Sequence, residues 1–165
     1  MGRLKGIPKI LSPELLHTIA SMGHGDEIVL ADSNFPAASC CTEGPKLIDA
    51  SGLDIPELLE AILKFFPLDT YVFNPVVLMD LVNSDKKKDM EVAIWPKYQK
   101  ICDKAEGRSI VMYKEERFEF YNRAKTTFAI VATGESAAYG TIILKKGVVS
   151  ENQNKVMFRS GDITK

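Results

Sequence analysis

Residues 23–36 read GHGDEIVLADSNFP, and this stretch determines how the rest of the chain is interpreted. Its apolar centre, residues 28–31, is continuous rather than alternating, which predicts a strand buried on both faces of a sheet. The predicted strand covers residues 27–32. His24, which stands between two glycines, precedes it, and Asp32 ends it. The stretch therefore puts an imidazole and a carboxylate at opposite ends of one strand.

Helix signals flank this strand on both sides in the sequence. Ser12 followed by Pro13 is typical of a helix start, and the pattern predicts a helix over residues 12–22. Asp54 and Glu57 form a D-x-x-E capping box for a second helix, which should end before the proline at position 67. Apolar periodicity predicts further helices over residues 94–105 and about 114–125.

Strand-like segments alternate with these helices. Apolar and β-branched runs predict strands at 46–49, 109–113, 127–133 and 141–144. Residues 70–73 and 76–82 also have strand composition, and Pro75 leaves either two short strands or one broken strand. Residues 83–90, rich in lysine and aspartate, are expected to form a solvated surface loop. The mixture predicts an α/β fold, a single domain whose sheet is covered by helices on both faces.

Length and composition fit one domain with a polar tail. The chain has 165 residues, of which 45% are hydrophobic, and this is enough to bury a sizeable core. We expect residues 1–147 to form the domain and residues 148–165, which contain few apolar side chains, to form a mobile tail. The formal net charge of -1 gives no long-range attraction for nucleic acid or anionic lipid.

The cysteines and the apolar runs bear on the cellular location. Cys40 and Cys41 are adjacent and Cys102 is distant, which fits neither a disulfide framework nor a C-x-x-C metal pair. Reduced thiols are the simpler interpretation. No apolar run approaches the roughly 18 residues that span a bilayer, and the first residues contain no signal-peptide core. We therefore expect a cytoplasmic protein with no nucleic-acid and no membrane partner.

His24 is the strongest candidate for chemistry that the residues alone offer. Glycine on both sides leaves the imidazole unscreened by neighbouring side chains and gives the backbone unusual freedom. The alternative is a histidine that caps the C-terminal end of the preceding helix, and the residues leave both interpretations open. Asp32 and Asp69 are also ambiguous, because an aspartate at the start of a turn commonly bonds its own backbone.

Common cofactor and hydrolase motifs are missing from the sequence. Ile28 stands where a dinucleotide-binding loop needs its third glycine. The chain has no P-loop, no H-E-x-x-H and no G-x-S-x-G. Because His17 and His24 are the only histidines, a zinc site would need mostly carboxylates, which suit zinc poorly. The residues alone thus predict an α/β domain with one histidine–carboxylate site, no metal and no cofactor.

Several short motifs together resemble one known family. In chain order they are LKGIP at 4–8, LSPELL at 11–16, MGHGDEIVLAD at 22–32, NFP at 34–36, FEFY at 118–121, TGE at 133–135 and YG at 139–140. This combination is similar to the animal branch of the fucose mutarotase and ribose pyranase family, from about residue 4 to residue 147. The combination is far more specific than any one of its motifs.

The resemblance implies a cofactor-independent isomerase that interconverts the α and β anomers of a free monosaccharide, with L-fucose as the substrate. It implies that His24 donates a proton and that Asp69 is a second acid or base. Histidine suits the first role because its reference pKa is about 6.5. The sugar-binding positions that the resemblance implies are Asp32, Met79, Arg117, Tyr121, Tyr139, Gly140 and Thr141.

Thr141 is the clearest departure from this family, which usually has asparagine after the Tyr-Gly pair. Threonine suits a strand but offers only one hydroxyl, so we expect a weaker sugar contact there. The resemblance also implies a ring-forming homo-oligomer with sites near the subunit interfaces. A non-catalytic monosaccharide-binding or sensing module is the alternative, since it would use Asp32, Tyr121 and Tyr139 but would not need an unscreened His24.

Overall fold

The structure, a computed structural model, describes residues 2–151. Most of the predicted tail, residues 152–165, lies outside the described residues. Helices occur at α1 (Pro13–Ser21), α2 (Ala37–Cys40), α3 (Ile55–Leu63), α4 (Asn83–Lys86), α5 (Ile94–Glu106) and α6 (Arg117–Ala124). Strands occur at β1 (Glu27–Ala31), β2 (Lys46–Ala50), β3 (Val76–Met79), β4 (Met112–Glu115), β5 (Ala129–Thr133) and β6 (Ile142–Lys145).

Strand β1 lies inside a six-stranded sheet with the order β2-β5-β1-β6-β3-β4. It pairs in parallel with β5 and antiparallel with β6. Strands β1 to β5 all run in one direction, while β6 runs against both of its neighbours, β1 and β3. Ile28, Val29, Leu30 and Ala31 each have a relative exposure of 0%. The prediction of a strand that is covered on both faces is therefore confirmed.

The sheet separates two apolar clusters. Ile28 and Leu30 point into the larger cluster, which is covered by helices α1, α3 and α5. Val29 and Ala31 belong to the second cluster, on the opposite face, which contains side chains of α2 and α6 such as Phe120. The α/β domain with helices on both faces is thus confirmed.

Most helix boundaries follow their sequence signals. The Ser12 side chain caps the first turn of α1, and α5 ends at Gly107, which is left-handed with a φ of 67°. The capping box predicted for α3 is wrong, because the Asp54 side chain makes no cap hydrogen bond. Instead the Ile55 amide donates to Oε2 of Glu135 at 3.3 Å, so the N-terminal end of α3 is capped from a distant loop.

Strands β3 and β4 cover Val76–Met79 and Met112–Glu115 instead of the predicted residues 76–82 and 109–113. Two further segments differ from their predictions in the type of structure. Residues 70–73 form no strand. The reason is that Lys145 bonds to both flanks, accepting from the Asp69 amide at 3.0 Å and donating to the Pro75 carbonyl at 2.9 Å, so the residues between them loop out. Residues 83–90, predicted to be a solvated loop, do lie at the surface but contain the short helix α4.

The topology creates two polar edges of the sheet. The carboxyl ends of β1, β3, β4 and β5 meet at one edge, beside the start of β6. Their amino ends lie at the opposite edge, beside the turn that contains His24. Ligands of open α/β sheets usually bind at the carboxyl edge. Among residues 2–151, no helix has the length and apolarity needed to cross a membrane.

Candidate active site

His24 lies in a tight turn between α1 and β1. Oδ2 of Asp26 accepts a hydrogen bond from the Gly23 amide at 2.7 Å, and the Asp26 amide donates to the Gly23 carbonyl at 3.2 Å. Gly25 has a φ of 84°, a conformation that favours glycine. The His24 side chain is 47% exposed. The turn therefore holds the imidazole open to solvent.

His24 forms a hydrogen-bonded pair with Asp69. Its Nε2 lies 3.1 Å from Oδ1 of Asp69, whose side chain is only 3% exposed. The same oxygen accepts a hydrogen bond from the Tyr71 amide at 3.0 Å, and the Tyr71 and His24 rings pack with centroids 5.3 Å apart. The other ring nitrogen, Nδ1, has no hydrogen-bond partner among residues 2–151. We call His24, Asp69 and Tyr71 the His24 site.

The helix-capping alternative for His24 is wrong. The last turn of α1 is capped by Lys146, whose Nζ donates to the carbonyls of Ile19 at 2.8 Å and Met22 at 2.6 Å. The imidazole of His24 bonds to Asp69 instead. A buried carboxylate beside an imidazole can hold the ring in one orientation and one tautomer.

Asp32 lies at the carboxyl end of β1 and is held by two segments. Its Oδ1 accepts from the Asn34 amide at 2.9 Å, so the turn interpretation of Asp32 is correct. Its Oδ2 accepts from the hydroxyl of Thr141 at 2.7 Å and from the Thr141 amide at 3.1 Å. The Asp32 amide in turn donates to Thr141 Oγ1 at 3.0 Å. Thr141 thus fixes the carboxylate of Asp32.

A cleft of about 350 Å³ opens at this carboxyl edge, a volume typical of small-molecule sites. Six of the residues that the resemblance implied for sugar binding line it: Asp32, Met79, Arg117, Tyr121, Tyr139 and Thr141. The lining also contains residues that sequence reasoning missed, namely Asn34, Phe35, Val82, Asp85 and Ala138. We call this space the Asp32 cleft.

Aromatic rings and a cation form one wall of the Asp32 cleft. The Arg117 guanidinium lies 5.7 Å from the Tyr121 ring centroid and 5.6 Å from that of Phe118. Phe35 packs against Tyr121 with ring centroids 5.6 Å apart. Such a wall combines flat apolar faces with hydroxyl and guanidinium hydrogen-bonding groups, a combination that suits a monosaccharide.

The loop that carries Tyr139 and Gly140 is bound to α4 and α5. The Tyr139 hydroxyl donates to Oδ2 of Asp85 at 2.6 Å, and its carbonyl accepts from Trp95 Nε1 at 3.0 Å. Burial and the Asp85 contact raise the pKa of Tyr139, so the phenol remains a donor. Gly140 is not brought into the cleft lining, because it is buried and its carbonyl accepts from the Tyr98 hydroxyl at 2.7 Å.

The His24 site and the Asp32 cleft lie at opposite ends of β1. The five residues of this strand span roughly 16 Å at about 3.3 Å per residue. Neither His24 nor Asp69 lines the cleft. Within one chain the structure therefore brings the proposed acid and its carboxylate together, and the sugar-binding residues together, but keeps the two groups apart. In the described part of the chain, no three His, Cys, Asp or Glu side chains are grouped to hold a metal ion.

The missed residues have little local sequence signal, although Asn34 and Phe35 belong to the NFP motif. Asp85 lies in the lysine-rich stretch that was interpreted as a solvated loop, and only the fold brings it to Tyr139. Tyr71 was assigned to a strand and not to a site. An aromatic residue two positions after Asp69 is the one hint that the sequence contains for it.

Comparison with known proteins defines the class of this molecule. The chain belongs to the RbsD / FucU transport protein family, whose model matches residues 5–149. Within that family it is similar to the fucose mutarotase of Mus musculus, with 60% identity over 149 residues that cover 90% of this chain and 97% of that protein. The fucose mutarotase of Homo sapiens is 57% identical over 152 residues, which cover 92% and 98% of the two chains. The resemblance inferred from the motifs is confirmed.

A solved structure supports the same relationship. The fucose mutarotase from Streptococcus pneumoniae, solved in complex with L-fucose, has a TM-score of 0.79 and 47% identity to this chain. The match covers 89% of this chain and 100% of that one. The likeness therefore extends over most of this chain.

Proposed function

We propose that this protein is a sugar mutarotase that interconverts the α and β anomers of L-fucose. One observation carries the proposal: a half-exposed imidazole paired with a buried carboxylate, His24 with Asp69, in a chain 60% identical to a fucose mutarotase. The complex of a related enzyme with L-fucose supports the choice of sugar. Anomer exchange consists of proton transfers and one bond cleavage that is later reversed, so proton donors and acceptors suffice.

In the proposed reaction the protonated imidazole of His24 donates a proton to the ring oxygen of the sugar through Nδ1, the nitrogen that Asp69 does not engage, and keeps the proton on Nε2 that faces Asp69. The anomeric hydroxyl loses its proton to water or to a carboxylate of the Asp32 cleft, and the bond between C1 and the ring oxygen breaks. Rotation about the C1–C2 bond and reclosure on the other face give the second anomer and return both protons. Acid–base catalysis of this kind contributes roughly 10²- to 10⁴-fold.

Asp69 acts in this scheme through His24. The residue is 2% exposed, and its carboxylate already accepts hydrogen bonds from the imidazole and from the Tyr71 amide. It can therefore orient the imidazole and stabilise the protonated ring that donates the proton, much as the carboxylate of a catalytic triad stabilises an imidazolium. This role is narrower than the direct acid or base role that the resemblance implied.

The Asp32 cleft binds the sugar in this proposal. Asp32 accepts hydrogen bonds from sugar hydroxyls. Tyr121 and Arg117 offer further donors along the wall, and Tyr139, whose hydroxyl donates to Asp85, offers the face of its ring. Met79, 8% exposed at the end of β3, supplies an apolar contact. Gly140 contributes by close packing of the loop and not by direct contact.

We propose that a complete site combines the His24 site of one subunit with the Asp32 cleft of a neighbour. The two groups are separated by roughly 16 Å of strand within one chain, and a monosaccharide is much shorter than that. In a closed homo-oligomer each subunit presents both surfaces, so that every interface of one kind forms a complete site. This arrangement agrees with the ring that the resemblance implied.

Exposed aromatic side chains support this assembly. Tyr71 and Phe73, in the loop beside His24, are 78% and 81% exposed. Phe118, beside Arg117 at the cleft, is 66% exposed. Large exposed apolar groups that cluster in this way mark interaction surfaces. Both proposed contact surfaces therefore carry the apolar groups that an interface would cover.

The cysteines support a cytoplasmic location for this activity. Cys40, Cys41 and Cys102 are free, and burial raises the pKa of the Cys102 thiol to about 12. Disulfides persist in oxidising compartments and are rare in the cytosol. We therefore propose that the protein acts on free fucose in the cytoplasm.

Exchange NMR of the anomeric protons of L-fucose, with and without protein, tests the proposed function. We expect faster exchange at micromolar protein and a return to the background rate in His24→Ala. Binding of fucose without faster exchange would identify a non-catalytic sugar-binding or sensing module instead. A panel of sugars that differ at single hydroxyls would define the substrate range, because such groups are distinguished by hydrogen bonds in the pocket.

A further inference from the structure

Residues 145–147, which end and follow strand β6, contact both sides of the His24–Asp69 pair, and we call them the brace. The Lys146 carbonyl accepts from the Gly25 amide at 2.8 Å, and the Lys146 amide donates to the Asp26 carbonyl at 2.8 Å. Both bonds belong to the turn that carries His24. The brace thus fixes the backbone that directly follows His24.

The brace also forms hydrogen bonds with the segment that carries Asp69. The Lys145 carbonyl accepts from the Asp69 amide at 3.0 Å, and the Gly147 amide donates to the Pro67 carbonyl at 2.8 Å. A Cβ at position 147 would lie 2.6 Å from the Leu68 carbonyl oxygen and 2.9 Å from Asp69 Cα, so only glycine fits there. The segments that carry His24 and Asp69 are therefore both hydrogen-bonded to the backbone of residues 145–147.

The side chain of Lys146 adds a second connection to the turn. Its ammonium donates to the carbonyls of Ile19 and Met22, and Met22 stands two residues before His24. Helix α1 has no basic residue in its own last turn. Lys146 therefore supplies, from another element, the positive charge that a helix C-terminus favours. Burial lowers the pKa of Lys146, and the nearby Asp26 carboxylate opposes that effect.

We propose that Lys146 is a positioning residue for His24: it fixes the end of α1 and the following turn so that the imidazole meets Asp69. This inference rests on the proposed mutarotase function. Lys146 makes no hydrogen bond to the imidazole or to Asp69 through its side chain, so it acts through the turn. Misplacement of a catalytic group by about 1 Å can cost on the order of 10²-fold in rate.

Kinetics of Lys146→Met provide the first test. We expect kcat for fucose anomer exchange to fall by about 10- to 100-fold, while KM changes by less than about threefold, because the cleft lies at the other end of β1. Lys146→Arg keeps the charge and the donors and should recover kcat to within about threefold of wild type. Lys46→Met is the matched control, because Lys46 also contacts α1, through Glu14 at 3.3 Å, but at its first turn.

Imidazole NMR provides a readout that needs no turnover. The chain contains two histidines, so His17→Gln assigns the ring signals of His24. We expect the neutral ring of His24 to have one fixed tautomer, with the proton on Nε2, in the wild type and in Lys46→Met, and to lose that preference in Lys146→Met. If the wild type has a fixed tautomer but does not catalyse exchange, the mutarotase function is refuted, while loss of that tautomer in Lys146→Met would still support the positioning role.

The proposal would be overturned by a Lys146→Met protein with kcat within about twofold of wild type and an unchanged His24 spectrum. If Lys146→Met does not fold, Lys146→Gln, which keeps a neutral donor, is measured with the same expectations. If both neutral variants are unfolded at room temperature, Lys146 serves folding and not positioning, and the proposal also fails.

Discussion

At the scale of single residues, the proposed activity depends on two carboxylates that are held in different ways. Asp69 is buried and bonds to His24, so its effect reaches the sugar through the imidazole. Asp32 is 8% exposed and has both oxygens engaged, by the Asn34 amide and by Thr141, yet it lines the cleft. In the proposed reaction Asp69 therefore supports the proton donor, and Asp32 is preorganised to accept hydrogen bonds from sugar hydroxyls.

Replacement of His24 by alanine tests the proton donor. We expect the exchange rate to fall by at least about 10²-fold, because the acid is lost, and the Tm to stay nearly unchanged, because a half-exposed turn residue contributes little packing. His17→Ala, which changes an exposed histidine of α1, is the control and should match the wild type. Wild-type exchange in His24→Ala would refute the assignment.

Thr141→Val tests how Asp32 is held. Valine keeps the shape of threonine but removes the hydroxyl that donates to and accepts from Asp32, so we expect the free energy of unfolding to fall by about 1–3 kcal/mol. Fucose affinity should fall as well, as measured by titration, because the carboxylate loses its orientation. Thr141→Ser keeps the hydroxyl and serves as the control. Unchanged affinity with lower stability would mean that Asp32 does not bind the sugar.

The sequence-based expectation that Thr141 makes a weak sugar contact stays a prediction. The Thr141 hydroxyl donates its hydrogen to Asp32, which favours an indirect effect on the sugar over a direct hydrogen bond. Asparagine at this position would have to replace those contacts before its amide reached a ligand.

At the scale of elements, the sequence predicted structure well where local signals and burial agree. The continuous apolar run of β1 and the glycine that ends α5 are examples. It failed at residues 70–73, because Lys145 bonds to both flanks of this segment and that pairing comes from a distant part of the chain. It also failed at Asp54, where Glu135 caps the helix instead.

For the candidate site, too, the sequence indicates local features but not contacts between distant parts of the chain. His24 could be recognised from its flanking glycines and Asp32 from its place at a strand end. The grouping of the cleft residues came from family resemblance, and their separation from His24 follows from the strand that the sequence did predict. The roles of Lys146 and Thr141 could not be predicted, because they depend on hydrogen bonds to residues 124 and 109 positions away.

The cap of α3 gives a prediction at this scale. Glu135 is 7% exposed, and its carboxylate accepts from the amides of Ile55 and Ala137, so Glu135→Ala should lower the free energy of unfolding by about 1–3 kcal/mol. Asp54→Ala is the matched control and should cost less than about 0.5 kcal/mol, since Asp54 makes no cap bond. Denaturant unfolding measures both. Equal costs would show that Asp54 caps the helix in solution.

At the scale of the whole molecule, the separation of the His24 site from the Asp32 cleft makes assembly part of the proposed chemistry. In this proposal each chain carries a proton donor at the amino edge of its sheet and a sugar cleft at the carboxyl edge. Neither edge alone can bind a sugar and protonate it. The central claim is that the two edges of different subunits meet, and the exposed Tyr71, Phe73 and Phe118 side chains mark where they would do so.

Complementation between two inactive variants tests that claim most directly. One variant is His24→Ala, and the other is a cleft variant that combines Asp32→Asn with Tyr121→Ala. The two are produced separately, and also together with different affinity tags so that mixed oligomers can be purified. Anomer exchange is then measured by NMR, with light scattering to confirm that each preparation is assembled.

Shared sites predict that each variant alone is nearly inactive but that mixed oligomers regain activity. With random assembly in equal amounts, about one site in four joins an intact His24 to an intact cleft, so the activity per subunit should reach about a quarter of the wild-type value. Mixed oligomers that are assembled yet no more active than the separate variants would contradict the account, because His24 and the cleft would then have to act within one chain.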